Sequence, residues 1–187
     1  MGAPEQNPPV EFDIRDSYSL IPIEDYFKYG GLAVFSRYND KNKPFATVLS
    51  NRGCRAYCTF CTVRDFNGKG IRARSVESVI DELKFLWQKG IKQIDWLDDD
   101  FLWDRERTLL LLKRMTEEVP DLEWISNNGL IAAAITEEIM EWMVRSGMKA
   151  MKVGIESGND AMLKKIIKPT SKRKLMWASE LFKKYPQ

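Results

Sequence analysis

The sequence predicts an α/β chain of about four parallel β/α units, and three observations carry that prediction. Apolar runs of strand length alternate with longer stretches whose apolar residues recur at helical spacing. The helical stretches open on capping residues such as Ser75 and Thr136 and stop at Gly90 and Gly147. A strand with its helix takes roughly 30 residues, and four such units fit between Phe45 and Gln187.

Met1–Pro9 is rich in Pro, Gly and Asn and is expected to be poorly ordered. Val10–Tyr29 is amphipathic but irregular; Leu20, Ile21, Ile23, Tyr26 and Phe27 suggest a short helix packed on a domain edge. Residues 1–44 thus read as a tail and linker segment, and 45–187 as the core. After Pro44, Phe45–Ser50 is a buried strand that runs into a cysteine loop. Gly68 and Gly70 permit sharp turns in that loop, and Phe60 and Phe66 are its apolar anchors. Val76, Val79, Ile80, Leu83, Leu86 and Trp87 make one helix face, and Ile91–Leu97 is the second strand. A helix from about Asp104 carries Leu109, Leu112 and Met115 and closes before Pro120. Leu122–Ser126 is the third strand, with Asn127-Asn128-Gly129 as its turn. Ile139, Met140 and Met143 face inward from the helix that Thr136 opens, and Met148–Ile155 is the fourth strand. Helical stretches flank Pro169, and the last helix holds Leu175, Met176, Leu181 and Phe182. The six tryptophans read as core or pocket wall.

The 187 residues suffice for one domain with a substantial core. A net charge of +2, from 29 basic and 27 acidic residues, gives no argument for nucleic acid or an anionic membrane. No apolar run approaches the ~20 residues that span a bilayer. The start MGAPEQNPP lacks a signal peptide's apolar core, so the chain reads as intracellular and cytoplasmic. A reducing compartment also suits free thiols.

All three cysteines, Cys54, Cys58 and Cys61, stand in a C-x3-C-x2-C spacing within Asn51–Cys61. Three thiols so close present themselves to a metal, an iron–sulfur cluster or a redox partner. Structural zinc takes four protein ligands. With no histidine and no fourth cysteine here, zinc would need a carboxylate or another chain to close its shell. A [4Fe–4S] cluster is normally held by four thiolates; three leave one iron open, which in a catalyst is a place to bind substrate. Unrelated surface thiols are the remaining alternative.

With the aromatic Phe60 just before its last cysteine, this loop resembles the signature loop of the radical S-adenosylmethionine (radical SAM) enzymes. The resemblance implies a [4Fe–4S] cluster on Cys54, Cys58 and Cys61 whose open iron is chelated by the amino and carboxylate groups of SAM. It implies that an electron from the reduced cluster cleaves the sulfonium to a 5′-deoxyadenosyl radical, with Phe60 near the adenine. A reductase, ferredoxin or flavodoxin is the implied electron donor.

In parallel β/α architectures functional groups gather at the C-terminal strand ends. After the second strand stand Asp98, Asp99 and Asp100, where the family usually has Gly-Gly-Glu for the amino group of SAM. The LDDDF run departs from that and is similar to the acidic version in the subgroup with a cobalamin-binding domain. A carboxylate suits an ammonium; the alternative is a solvated acidic turn before a helix N-terminus. The third strand ends in Ser126-Asn127-Asn128; Ser126 and Asn128 suit the sugar or carboxylate of SAM, and are equally good turn formers. The fourth ends in Gly154-Ile155-Glu156-Ser157-Gly158, similar to the family's Gly-x-Glu-Ser-Gly stretch, which implies that Glu156 reaches SAM. Its alternative is a structural ion pair with Lys152. Arg72 and Arg74 follow the loop, within reach of a cluster or the SAM carboxylate, and each taken alone reads rather as a surface salt link; Lys164-Lys165 and Lys183-Lys184 read as solvated helix faces.

The resemblance implies a partial (β/α) TIM-like barrel of the radical SAM type, with later units missing and supplied by absent domains or a partner chain. Asp13–Tyr29 is similar to the text joining a cobalamin domain to such a core. Cobalamin-dependent methyl transfer is the leading expectation, with cobalamin on a domain outside the chain; methylthiolation and ring rearrangement are others. An electron-transfer or cluster-carrier module without SAM cleavage is the rival from a different class, and a zinc-stabilised binding module is a third.

Overall fold

The computed structural model describes residues 14–29 and 43–185. The expectation for Met1–Pro9, and the side chain of Phe27, lie outside the described residues. In chain order the elements are α1 (Arg15–Ser19), α2 (Ile23–Tyr29), β1 (Phe45–Val48), β2 (Asn51–Arg52), α3 (Val63–Asn67), β3 (Arg72–Ala73) and α4 (Val76–Gln88). There follow β4 (Gln93–Trp96), α5 (Arg105–Glu118), β5 (Glu123–Leu130), α6 (Glu137–Arg145), β6 (Met148–Val153), α7 (Asp160–Lys165) and α8 (Lys172–Lys183).

The capping residues act as the sequence suggests. Ser75, Asp104 and Thr136 accept from the backbone N–H groups of Ser78, Arg107 and Ile139, so α4, α5 and α6 each start on a satisfied donor. Their apolar faces, among them Ile80, Leu83, Leu112, Met115 and Met143, are closed from solvent against the sheet. Every position of β4 is buried, as a strand covered on both faces requires.

The sheet is parallel, in the order β1-β4-β5-β6. This is the α/β, partial-barrel arrangement expected from the sequence; among the described residues β1 and β6 are its edges. Val48 lies opposite Trp96, Trp96 opposite Ser126, and Ser126 opposite Met151. β1 and β4 therefore finish level, β5 and β6 run on beyond them, and the segments that follow all four strands share one rim. Beneath that rim Trp96, Phe101 and Trp124 form a buried aromatic cluster, with centroids 5.1 to 6.0 Å apart. No described helix is long and apolar enough to cross a membrane.

Two expectations are corrected, and one element is new. Asn127-Asn128-Gly129 is a bulge within β5, which continues to Leu130; the register with β6 shifts between Ser126 and Leu130, where Gly129 has φ +93°. The N-terminal segment forms two short helices that touch the core through Tyr18 and Ile23, whereas Leu20 is 83% exposed. The Tyr18 hydroxyl donates to Glu82 at 2.9 Å and its ring lies 5.8 Å from that of Phe85. The two-stranded antiparallel β2–β3 sheet had no signal in the sequence.

Gly147 ends α6 at φ +94°, and a Cβ there would lie 1.7 Å from the carbonyl oxygen of Leu122. Gly147→Ala is expected to lower the unfolding free energy by about 3 kcal/mol, measured by urea denaturation. An unchanged midpoint would contradict this packing.

Candidate functional site

The cysteine loop leaves β1 and returns through β3. Its two ends are paired, Asn51 with Ala73 and Arg52 with Arg72. Gly53, at φ +90°, lets them approach so closely that a Cβ would fall 2.1 Å from the Gly70 carbonyl oxygen. The three aspartates after β4 lie under this loop. Asp98 is buried and accepts from the backbone N–H of Ser50 and Asn51, at 2.6 and 3.2 Å, and from the Ser50 hydroxyl and the Asn51 amide. Asp99 accepts through Oδ2 from Gly53 N–H at 2.8 Å and Asn67 Nδ2 at 2.7 Å. Asp100 accepts from the Arg55 backbone N–H at 3.4 Å, pairs with Arg55 Nε at 3.1 Å, and lies 3.9 Å from Cys54 Sγ.

A cavity of about 370 Å³ opens on the rim, within the ordinary size range of small-molecule sites. Cys54, Cys58, Phe60 and Cys61 line it from the loop, Asp99 from the end of β4, Asn128 from β5, and Glu156 and Lys168 from beyond β6. Asp98, Asp100 and Ser126 do not line it; the first two are committed to the loop, and Ser126 is buried. Asn128 donates its amide to the Leu97 carbonyl at 2.6 Å.

Lys168 was missed in the sequence. Its ammonium sits 2.9 Å from Glu156, where the alternative reading put Lys152, and 5.9 Å from the Phe60 ring centroid. Ile167, at φ +54°, precedes it, and the Ile166 carbonyl accepts from Thr59 N–H at 3.1 Å. That bond joins the turn after α7 to the cysteine loop. Lys168 lies twelve residues from Glu156, so no local pattern announces the pair.

Phe60 and Phe66 are 54% and 85% exposed, so they are not anchors; hydrogen bonds and ion pairs hold the loop instead. Arg74 is not a surface group. It is buried against Glu82 and also donates to the Leu49 carbonyl and Ser78. Lys183 and Lys184 are exposed, as expected, and pair with Glu180 and Glu137.

Burial pushes the Cys54 thiol up to about 11, opposed by the Ala56 N–H 3.4 Å from its sulfur. Burial also raises Cys58, offset by the Lys168 ammonium. Burial thus favours the neutral thiol at Cys54, while at Cys58 the Lys168 ammonium works against it. Among the described residues no three His, Cys, Asp or Glu side chains converge on one point as a single metal ion requires. A cluster places its thiolates on separate irons, farther apart than one ion does. Three thiols around one cavity, with no histidine and no fourth cysteine in the chain, fit that donor set better than a closed zinc shell.

A family model described as the radical SAM superfamily matches residues 48–186. An uncharacterized methyltransferase of Pyrococcus horikoshii is 31% identical over 166 residues, which cover 88% of this chain and 35% of that protein. The ribosomal protein uS12 methylthiotransferase RimO of Clostridium tetani is 34% identical over 131 residues, 66% of this chain and 29% of that protein. The chain therefore spans about a third of the length of these relatives. In fold it is similar to the radical S-adenosylmethionine methyltransferase TsrM from Kitasatospora setae, solved with cobalamin and a [4Fe–4S] cluster. The TM-score is 0.68 at 18% identity, over 76% of this chain and 29% of that one.

Proposed function

This chain belongs to the radical SAM superfamily, a family of enzymes, and from that premise we propose that its rim cavity binds a [4Fe–4S] cluster and SAM together. The observation that carries the reading is the single cavity lined by Cys54, Cys58 and Cys61 on one side and Asp99, Asn128 and Glu156 on the other. Bound there, the cluster would supply the electron that cleaves the carbon–sulfur bond of SAM and gives a 5′-deoxyadenosyl radical.

The residues match the charges of that ligand. Asp99 has Oδ2 occupied by Gly53 and Asn67, which leaves Oδ1 open to accept from an ammonium. Lys168 offers a cation to a carboxylate, and Glu156 and Asn128 offer acceptors and donors for ribose hydroxyls. Phe60 gives an apolar face for the adenine. Apolar Val63, Leu130 and Ile131 wall off water, which a radical site requires.

Lys168→Met is expected to weaken SAM binding about tenfold, measured by equilibrium dialysis on the reconstituted protein; unchanged affinity would remove Lys168 from the site. The function itself is tested by anaerobic reconstitution, dithionite and SAM. Formation of 5′-deoxyadenosine supports the reading; a reducible cluster that leaves SAM intact favours an electron-transfer or carrier module instead.

Kinship with methyltransferases supports methyl transfer within a longer protein, in which we read residues 1–44 as linker and 45–187 as core. The RimO relative supports methylthiolation as the second reading.

A further inference from the structure

We propose that Asp98, Asp99 and Asp100 act as a clasp that fixes the cysteine loop before any cluster arrives, so that Asp98 and Asp100 are positioning residues and only Asp99 faces the ligand. This rests on the reading that the three thiols hold a cluster.

The clasp follows the loop residue by residue. Asp98 takes Ser50 and Asn51, Asp99 takes Gly53, and Asp100 takes Arg55 and lies against Cys54. Successive carboxylates thus meet successive parts of the loop, across more than forty residues of chain. Asp99 also closes the loop on itself, because its Oδ2 receives both Gly53 at the entrance and Asn67 at the end of α3. The Asp100 backbone takes part as well: its carbonyl accepts from Asn51 Nδ2 at 3.2 Å. Arg55 is held from its far end by the Trp103 carbonyl at 2.9 Å, so Cys54 lies between residues fixed on both sides.

A loop fixed in this way has lost most of its backbone freedom before binding, and the cluster need not order it. A run of three acids is therefore used here mainly as an acceptor set for backbone N–H groups. An acidic turn left to solvent would not be buried: Asp98 and Asp100 are 1% and 2% exposed.

The test is hydrogen exchange on the cluster-free protein, with iron uptake measured separately. Segment 51–67 is expected to be protected in the wild type. Asn67→Ala, which removes the closing bond without touching an aspartate, is expected to speed its exchange about tenfold and to slow cluster uptake by a similar factor. Asp99→Ala, which removes the acceptor itself, should do the same from the other partner. The reduced cluster of Asn67→Ala should also show a broadened electron paramagnetic resonance spectrum, as mobile ligands give. Met143→Ala, a cavity in the remote α6, is the control for general destabilisation and should leave uptake and spectrum unchanged. Exchange unaltered in both loop variants would overturn the clasp, and so would faster exchange with undiminished uptake. A wild-type chain with a protected loop that takes up no iron would overturn the cluster assignment instead, so the two failures are distinguishable.

Discussion

Replacing Cys58 with alanine is expected to reduce 5′-deoxyadenosine formation to background and to leave reconstituted protein with less than half the wild-type iron. Cys58 lines the cavity and is only half-buried, so its loss removes a ligand without opening the core. Two thiols remain for a cluster that needs at least three protein ligands even with SAM on its fourth iron. Loss of an outer partner of a metal site costs roughly 10–100-fold, so loss of a ligand itself should exceed that. Cys58→Ala should unfold at the wild-type temperature, which separates a missing ligand from a missing fold. A variant with wild-type iron and turnover would remove Cys58 from the cluster.

Asp98→Ala is expected to cost about 4 kcal/mol of stability at about pH 7, among the largest effects of any single change in the chain. It leaves three buried donors, the Ser50 N–H and hydroxyl and the Asn51 N–H, without the carboxylate they share, and strips the Asn51 amide back to its bond to the Asp100 carbonyl. Asp98→Asn should cost less than half as much, because the Ser50 hydroxyl and the Asn51 amide can each turn to accept. The pH dependence has a definite sign. Burial raises the Asp98 carboxyl from 3.8 to about 6, opposed by the hydrogen bonds from Ser50. Across that window the folded state holds the proton more tightly than the unfolded chain, so stability falls as pH rises. Relative to Asp98→Asn, which does not titrate there, the wild type should lose about 2 kcal/mol between pH ~4 and pH ~7. Denaturant titration at both ends checks it; a wild type that gains on the variant as pH rises would mean that the donors outweigh burial.

The core and its caps were legible because they are local. Ser75, Asp104 and Thr136 precede apolar residues at helical spacing, and Ile94 with Trp96, and Trp124 with Ile125, mark β4 and β5 within short stretches bounded by helix signals. The cysteine loop and the strand-end polar groups were legible as a set, and Cys54, Asp99, Asn128 and Glu156 do line one cavity. What escaped depends on partners distant in sequence. Nothing near Lys168 points to Glu156, nothing near Arg74 predicts its burial against Glu82 beneath Tyr18, and Asp98 reads the same whether it meets solvent or Ser50. Asn127-Asn128-Gly129 has the composition of a turn and becomes a bulge because β6 holds β5 on either side of it.

Electron paramagnetic resonance of the reduced, reconstituted protein, with and without SAM, tests the central claim most directly. A cluster held by Cys54, Cys58 and Cys61 alone has one iron free to take the ligand, so SAM is expected to shift the g-values of the reduced cluster. A spectrum indifferent to saturating SAM would contradict a shared site for cluster and ligand.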